Sequence, residues 1–329
     1  MARSTGPARA TTRRFCAGVS AEELSTSNTA STRVSDRCAC WPPGPLEREN
    51  RSSISSRGRI TERVTRIDSP GMAAILLDVD GVLHVSGKPI PGAPEAVRQL
   101  RRAGHRLRFV TNNTTRPRAV LAGELRACGI ELEDEELQTT AAAAARALAG
   151  RRVLALVMAA LVADLDAMEL VGDGADAVLL GGADETDETG RVFSYMNLAR
   201  AFGELELGAE LYCLHKNRWW QTSRGPLLDS GAFVAGLEFA SGVEATVLGK
   251  PSRAYFEAAL EALDAEPELT WMVGDDLDSD VAGAQRYGLK TVLVRTGKFR
   301  PDELNRSMVV PDAVISSVAY LPEWLERSL

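Results

Sequence analysis

The stretch ILLDVDGVL, from Ile75 to Leu83, ends an apolar run on two aspartates with one residue between them. A carboxylate held at the end of a buried strand can serve as a nucleophile. A second one two residues on, Asp80 beside Asp78, can deliver and retrieve a proton. Three later segments repeat the pattern of an apolar run meeting polar residues. FVTNNT supplies Thr111, Asn112 and Asn113, VLGKP supplies Lys250, and TWMVGDDLDSD supplies Asp275, Asp276, Asp278 and Asp280. Together these residues suit phosphoryl transfer. A phosphate ester repels an attacking carboxylate, and a Mg2+ ion held by several oxygens removes that repulsion. Asp78 would attack phosphorus. Asp80 would protonate the leaving oxygen and later deprotonate water, which needs a carboxyl able to hold a proton near neutral pH. Thr111 and the loop amides offer hydrogen bonds to phosphoryl oxygens, and Lys250 offers charge to phosphate and nucleophile. Gly81 and Gly274 allow the backbone to turn closely around the ion.

Each segment also has an ordinary explanation. Asp before Gly is common in turns. Asp278 and Ser279 could cap a helix, Thr111 could be a strand-end hydroxyl, and Lys250 a solvated lysine before Pro251. A calcium loop of the EF-hand type fails on spacing: counted from Asp276, the required glycine falls on Val281 and the glutamate on Tyr287. Four such coincidences, in order and each at a strand end, are better explained by one site.

The elements that must position these residues follow from hydrophobic periodicity. Strands are predicted at Ala74–Val79, Leu107–Val110, Val153–Val157, Ala177–Leu180, Glu210–Leu214, Ala245–Leu248, Thr270–Val273 and Thr291–Val294. Helices are predicted at Ala93–Ala103, Arg118–Cys128, Thr140–Leu148, Leu161–Met168, Tyr195–Leu205, about Ala232–Ala240, Arg253–Leu263 and Ser279–Tyr287. Two further apolar segments, Ala313–Ile315 and Val318–Leu325, finish the chain. Such alternation implies an α/β fold, a Rossmann-like doubly wound parallel sheet covered on both faces. Ligands then bind beyond the carboxyl ends of the strands, where the polar segments lie.

Composition narrows the function classes. The net charge of −7 and the scarcity of aromatic residues argue against a nucleic-acid surface. No apolar run approaches the roughly 18 residues of a membrane span; Val153–Leu165 is short and contains Asp164. The five cysteines include no CxxC pair and only three histidines accompany them, so neither a zinc site nor a disulfide framework is expected. Reduced thiols in a cytoplasmic protein fit better. Residues 1–71 are rich in Arg, Ser and Thr and poor in aliphatics, a composition that cannot bury a core. They read as a disordered extension or an over-extended start before Met72 rather than a targeting segment, which would carry fewer acids than Glu22, Glu23, Asp36, Glu47 and Glu49.

From Ala73 onward the ordered set DVDGV, VTNNT, GKP and GDDLDSD resembles the haloacid dehalogenase superfamily of phosphohydrolases. The resemblance implies Asp78 as nucleophile, Asp80 as general acid and base, and Mg2+ bound by the Asp78 carboxylate, the Asp80 backbone carbonyl and Asp275. It implies phosphate binding by Thr111, Asn112 and Asn113 with Lys250 beside them, and supporting roles for Asp280 and Gly274. Asp276 and Asp278 receive no defined role. Only about 30 residues separate Asp80 from Thr111, one strand–helix–strand passage, whereas roughly 135 lie between Thr114 and Gly249, enough for a separate α/β domain. That placement resembles the class IIA capped phosphatases, with a core at 72–149 and 245–329 and an inserted cap at 150–244. The segments LHKNRWWQTSRGPLLDSGAFVAGLEFASG, TVLGKPS and VRTGKFRP resemble a branch of that class that joins phosphatases of phospholysine, phosphohistidine and inorganic pyrophosphate to a sister group of haloacid dehalogenase-like hydrolase domain-containing proteins. A small phosphorylated substrate is implied, with no nucleic-acid or membrane partner, and a homodimer through the cap is compatible with it. His215–Trp220 is the candidate lid segment over the substrate; Trp219 and Trp220 could equally pack the cap or a cap–cap interface. A receiver-like phospho-accepting module is the alternative, but it needs neither Asp80 nor an inserted cap. Dehalogenase chemistry needs no Asp80 and no metal, and phosphomutase caps follow the first motif.

Overall fold

The structure is a computed structural model that describes residues 72–222 and 225–328. The expectations for residues 1–71 lie outside the described residues. In chain order the elements are β1 (Ala74–Asp78), β2 (His84–Val85), β3 (Lys88–Pro89), α1 (Ala93–Arg102), β4 (Arg106–Val110), α2 (Arg118–Ala127), β5 (Leu137–Gln138), α3 (Thr140–Ala147), β6 (Arg152–Leu156), β7 (Glu169–Leu170) and β8 (Ala177–Leu180). There follow α4 (Asp187–Val192), α5 (Tyr195–Glu206), β9 (Glu210–Cys213), β10 (Trp219–Thr222), β11 (Gly225–Leu228), α6 (Gly231–Ser241), β12 (Thr246–Val247), α7 (Arg253–Leu263), β13 (Thr270–Gly274), α8 (Gly283–Gln285), β14 (Lys290–Val294), α9 (Pro301–Arg306), β15 (Ala313–Ile315) and α10 (Leu321–Ser328).

Two parallel sheets organise these elements. The first has six strands in the order β15-β14-β13-β1-β4-β5. β1 is its centre: all five residues are buried, as expected of a strand covered on both faces. Its side chains alternate. Ile75 and Leu77 join Phe109, Val273 and the apolar faces of α1, α2 and α10, while Leu76 joins Val110, Met272 and α7 through Tyr255, Phe256 and Ala259. Each such buried leucine contributes about 2 kcal/mol. The second sheet has five strands in the order β12-β9-β8-β6-β7. One of its faces packs on α3, the other on α5 and α6. Among the described residues no helix is long and apolar enough to cross a membrane.

Most predicted elements form, and the departures have physical causes. Leu161–Met168 is not a helix: a 3-10 segment covers Ala159–Asp164. Leu161, Leu165 and Met168 are all buried, so the spacing that suggested a helix is met by successive tight turns, Leu161 N to Met158 O, Leu165 N to Val162 O and Met168 N to Leu165 O. The predicted helix at Ser279–Tyr287 starts earlier, as a π-helical turn over Leu277–Ala282 leading into α8. Asp276 is its cap, accepting from the backbone N–H groups of Asp278 and Ser279; Asp278 and Ser279 do not cap it. The strand before Lys250 is β12, and it pairs with β9 of the five-stranded sheet. Lys250 therefore does not lie at the end of a strand of the β1 sheet; it enters the site on the loop that returns from the second sheet to α7. The inserted segment predicted to end at 244 is followed directly by this strand of the same sheet. The hairpins β2–β3 and β10–β11 had no alternating signal long enough to mark them.

Candidate active site

The carboxyl ends of β1, β4 and β13 deliver Asp78, Thr111 and Asp275 to one place, and the loop after β12 brings Lys250 to meet them. Lys250 Nζ lies 2.6 Å from Asp78 Oδ1 and 2.7 Å from Asp280 Oδ1. All three residues are buried, so the pairing is made where water does not screen it. Burial is the largest influence on Asp78 and pushes its carboxyl well above the usual range, reinforced by Asp280 and Asp275 and opposed by Lys250. Burial works against charge on Lys250 as well, yet Asp280 and Asp78 outweigh it and hold the ammonium above its ordinary value.

Asp275 is the carboxylate best suited to hold a cation. Its Oδ2 accepts from the Lys298 backbone N–H at 2.6 Å, but its Oδ1 is buried without a partner. A buried unpaired carboxylate oxygen is costly. Burial, with the charge of Asp280, raises the Asp275 carboxyl to about 6. Carboxylate oxygens of Asp78, Asp275 and Asp280 all lie within 4.8 Å of one another. A hard divalent cation prefers this donor set, and its charge would reverse the penalties on all three groups. The residues present therefore fit a Mg2+ ion. Asp280, placed by the sequence motif in a supporting role, stands inside this cluster.

Two glycines make the cluster possible. Gly81 has φ +84°, and a Cβ there would sit 1.8 Å from Asp275 Oδ2. Gly274 has no positive φ; a Cβ there would lie 2.2 Å from Asp280 Oδ2, so its function is room for the Asp280 carboxylate rather than a turn.

Asp80 faces the open side. Its side chain is 51 % exposed, with His84 Nε2 3.6 Å from Oδ1, and Thr111 Oγ1 donates to Oδ2 at 3.3 Å. His84, buried in the β2–β3 hairpin, was not singled out from sequence, although it stands four residues after Asp80. The Thr111 backbone is held from below: Tyr255, fully buried on α7, accepts from Thr111 N–H at 2.9 Å, and its hydroxyl oxygen is 2.9 Å from Thr111 O and 2.8 Å from Gln138 O.

The side chains of the two asparagines are engaged by backbone groups. The Asn112 side chain donates to Lys250 O and accepts from Lys250 N–H, both at 2.8 Å, so its amide is engaged by the Lys250 backbone. Asn113 Oδ1 accepts from Thr115 and Arg116 N–H groups and shapes the turn. Asp276 pairs with Lys298 Nζ at 3.1 Å; burial acts against its charge, but Lys298 and the Ser279 N–H hold its carboxyl below the ordinary value. Asp278 is exposed.

Above these residues lies a cavity of about 360 Å³ shared by the two sheets' loops. The loops of the first sheet contribute Asp78, Asp80, Asp280 and Lys298; the loops of the second sheet and the β10–β11 hairpin contribute Asp184, His215, Asn217, Trp220 and Asp229. Of the segment His215–Trp220, then, His215, Asn217 and Trp220 face the cavity. Lys216 turns away to Glu238, and Trp219 lines a neighbouring cavity of about 330 Å³ with Asp275, Asp276, Lys298 and Phe299. His215 is buried, its Nδ1 accepts from Asn217 N–H, and its Nε2 is 3.5 Å from Asp229 Oδ1. Burial pulls its imidazole below the ordinary value; Asp229 opposes this and the charge of Lys298 adds to it.

Comparisons with known proteins find similar hydrolases and phosphatases. A family model described as haloacid dehalogenase-like hydrolase matches residues 75–171, and one described as HAD-hydrolase-like matches residues 247–321. The chain is 38 % identical over 267 residues to phospholysine phosphohistidine inorganic pyrophosphate phosphatase of Xenopus laevis, covering 78 % of this chain and 96 % of that one. It is similar to a solved p-nitrophenyl phosphatase from Archaeoglobus fulgidus, with 28 % identity and a TM-score of 0.71 over 77 % of this chain and 98 % of the other. It is also similar to a glycerol phosphate phosphatase from Mycobacterium tuberculosis in complex with magnesium, at 28 % identity and a TM-score of 0.66 over 76 % of each chain.

Proposed function

The chain belongs to the haloacid dehalogenase-like hydrolases and is a phosphatase, and from that premise we propose that it hydrolyses small phosphorylated compounds with Mg2+ through an aspartyl-phosphate on Asp78. One observation carries this reading: Asp78, paired with Lys250 at 2.6 Å, stands among carboxylates that leave Asp275 Oδ1 buried and unpaired. The named relatives are phosphatases, and one of the similar structures holds magnesium. The carboxylates of Asp78 and Asp275 would hold the ion, with the Asp80 backbone carbonyl by family resemblance and Asp280 beside them; when bound, it supplies the neutralisation that lets a carboxylate meet a phosphoryl group.

The protein's own residues then divide the work. An Asp78 oxygen bonds to phosphorus as the bond from phosphorus to the leaving oxygen breaks. Asp80 gives its proton to that oxygen, its carboxyl oriented by the Thr111 hydroxyl. In the second half Asp80 takes a proton from water, whose oxygen bonds to phosphorus as the bond to Asp78 breaks. The half-exposed position of Asp80 gives that water access. Lys250 sits against Asp78 where negative charge on the phosphoryl oxygens concentrates. Residues of the second sheet's loops and the β10–β11 hairpin, His215, Asn217 and Trp220, cover the leaving-group side and limit bulk water.

Release of phosphate from 4-nitrophenyl phosphate, followed with Mg2+ and after its removal by chelation, tests the reading. Turnover is expected only with the metal and is expected to fall by at least about a thousandfold in Asp78→Asn. Undiminished turnover without metal, or in the variant, would overturn it.

A further inference from the structure

The cavity contains two lysines in unlike situations. Lys250 is buried and committed, with carboxylates at 2.6 and 2.7 Å. Lys298 has a side chain 68 % exposed and, among the described residues, one side-chain partner, Asp276 at 3.1 Å. An ammonium has three donors, so Lys298 keeps donors for a ligand. Its place is nonetheless fixed. Its own backbone N–H is bonded to Asp275 Oδ2 at 2.6 Å, and two residues earlier Thr296 Oγ1 donates to Gly81 O at 2.5 Å, tying the loop after β14 to the loop after β1. Lys298 lines the active-site cavity and the neighbouring cavity alike. A leaving group that extends from the Asp78 side toward the second cavity passes its ammonium.

The carboxylates on the opposite wall do not compete on equal terms. Asp184 Oδ1 accepts from Thr186 N–H and from the hydroxyls of Thr186 and Thr189. Asp229 Oδ1 accepts from the N–H groups of Ser230 and Ala183 and faces His215. Their oxygens are spent on local bonds, whereas Lys298, held on one side by Asp276, keeps further donors on its exposed side.

Resting on the phosphatase reading above, we propose that Lys298 is a second anion-binding residue and that it makes the site selective for substrates whose leaving group carries its own negative charge beside the scissile bond, as inorganic pyrophosphate does. A charge-assisted hydrogen bond of this kind is made to the leaving group and leaves the transferred phosphoryl to Lys250.

The test compares wild type, Lys298→Met and Lys298→Arg at fixed free Mg2+ with inorganic pyrophosphate, 4-nitrophenyl phosphate and phospholysine. The ratio of kcat/KM for pyrophosphate to that for 4-nitrophenyl phosphate is expected to fall about tenfold or more in Lys298→Met, mainly through KM, and to recover largely in Lys298→Arg. The ratio for phospholysine, whose leaving group is cationic, is expected to stay or rise. A readout without turnover accompanies it: competitive inhibition by phosphonoacetate, with its second anion, is expected to weaken more than inhibition by phosphate. Equal losses for all three substrates would show a structural role and overturn the inference, as would an unchanged pyrophosphate ratio. Failure of wild type to hydrolyse 4-nitrophenyl phosphate with Mg2+ would instead overturn the phosphatase reading beneath it.

Discussion

Asn112 shows what a single residue does in this site that its motif did not disclose. The resemblance of VTNNT put Asn112 with the phosphate ligands, and the structure adds a second task for its side chain. In the structure both ends of its amide grip the backbone of Lys250, a residue far along the sequence. Holding a lysine by its backbone fixes where the ammonium can reach, and small displacements of a catalytic charge are expensive. Asn112→Ala is therefore expected to lower kcat for 4-nitrophenyl phosphate about tenfold or more with a smaller change in KM, a split that steady-state kinetics reads directly. Other residues were legible because their chemistry is local: Asp78 and Asp80 share one turn, and Asp275 and Asp280 share another. Lys298 was not, since VRTGKFRP carried it only as part of a resemblance and gave it no role; its neighbours Asp275 and Asp276 are assembled only by the sheet.

At the scale of elements, apolar runs predicted the parallel strands well, since a strand buried on both faces must be apolar throughout. They failed where short contacts decide. The turns at Leu161–Met168 satisfy a helical spacing without a helix, and the two-residue strand β12 joins a different sheet from the one its place in the order suggested. The loop between β9 and β10 holds His215, whose imidazole burial lowers. Its folded value is thus below the unfolded one, about 6.5. Below that pH the unfolded chain binds more protons than the folded chain, so the stability His215 allows is full above about pH 6.5 and is lost as pH falls toward the depressed value. Thermal melts between about pH 7.5 and 5 are expected to show a smaller acid-side decrease in Tm for His215→Gln than for wild type. An identical slope in the two proteins would remove His215 from the account of the second sheet's pH response.

For the whole molecule, the decisive feature is where the second sheet enters the chain. The first sheet carries the carboxylates and Thr111, and the chain leaves it after α3 and returns at Lys250, so that the lysine closes the site at the point of return. The length between Thr114 and Gly249 left room for more than the first sheet, and a second sheet of five strands forms there. How its loops meet the first sheet was not legible, because His215, Trp220 and Asp229 reach the cavity by tertiary packing that leaves no periodic trace. All of this geometry converges on one claim, that Asp78 becomes phosphorylated during turnover. The most direct measurement is to quench the protein in acid during steady-state hydrolysis, reduce it with borohydride and examine the peptide containing residue 78 by mass spectrometry. An aspartyl-phosphate is reduced to homoserine, so the account predicts homoserine at position 78 in samples quenched with substrate and Mg2+, and intact aspartate in samples lacking either. Intact Asp78 in a sample quenched during rapid turnover, with the acyl phosphate trapped at another carboxylate, would contradict it.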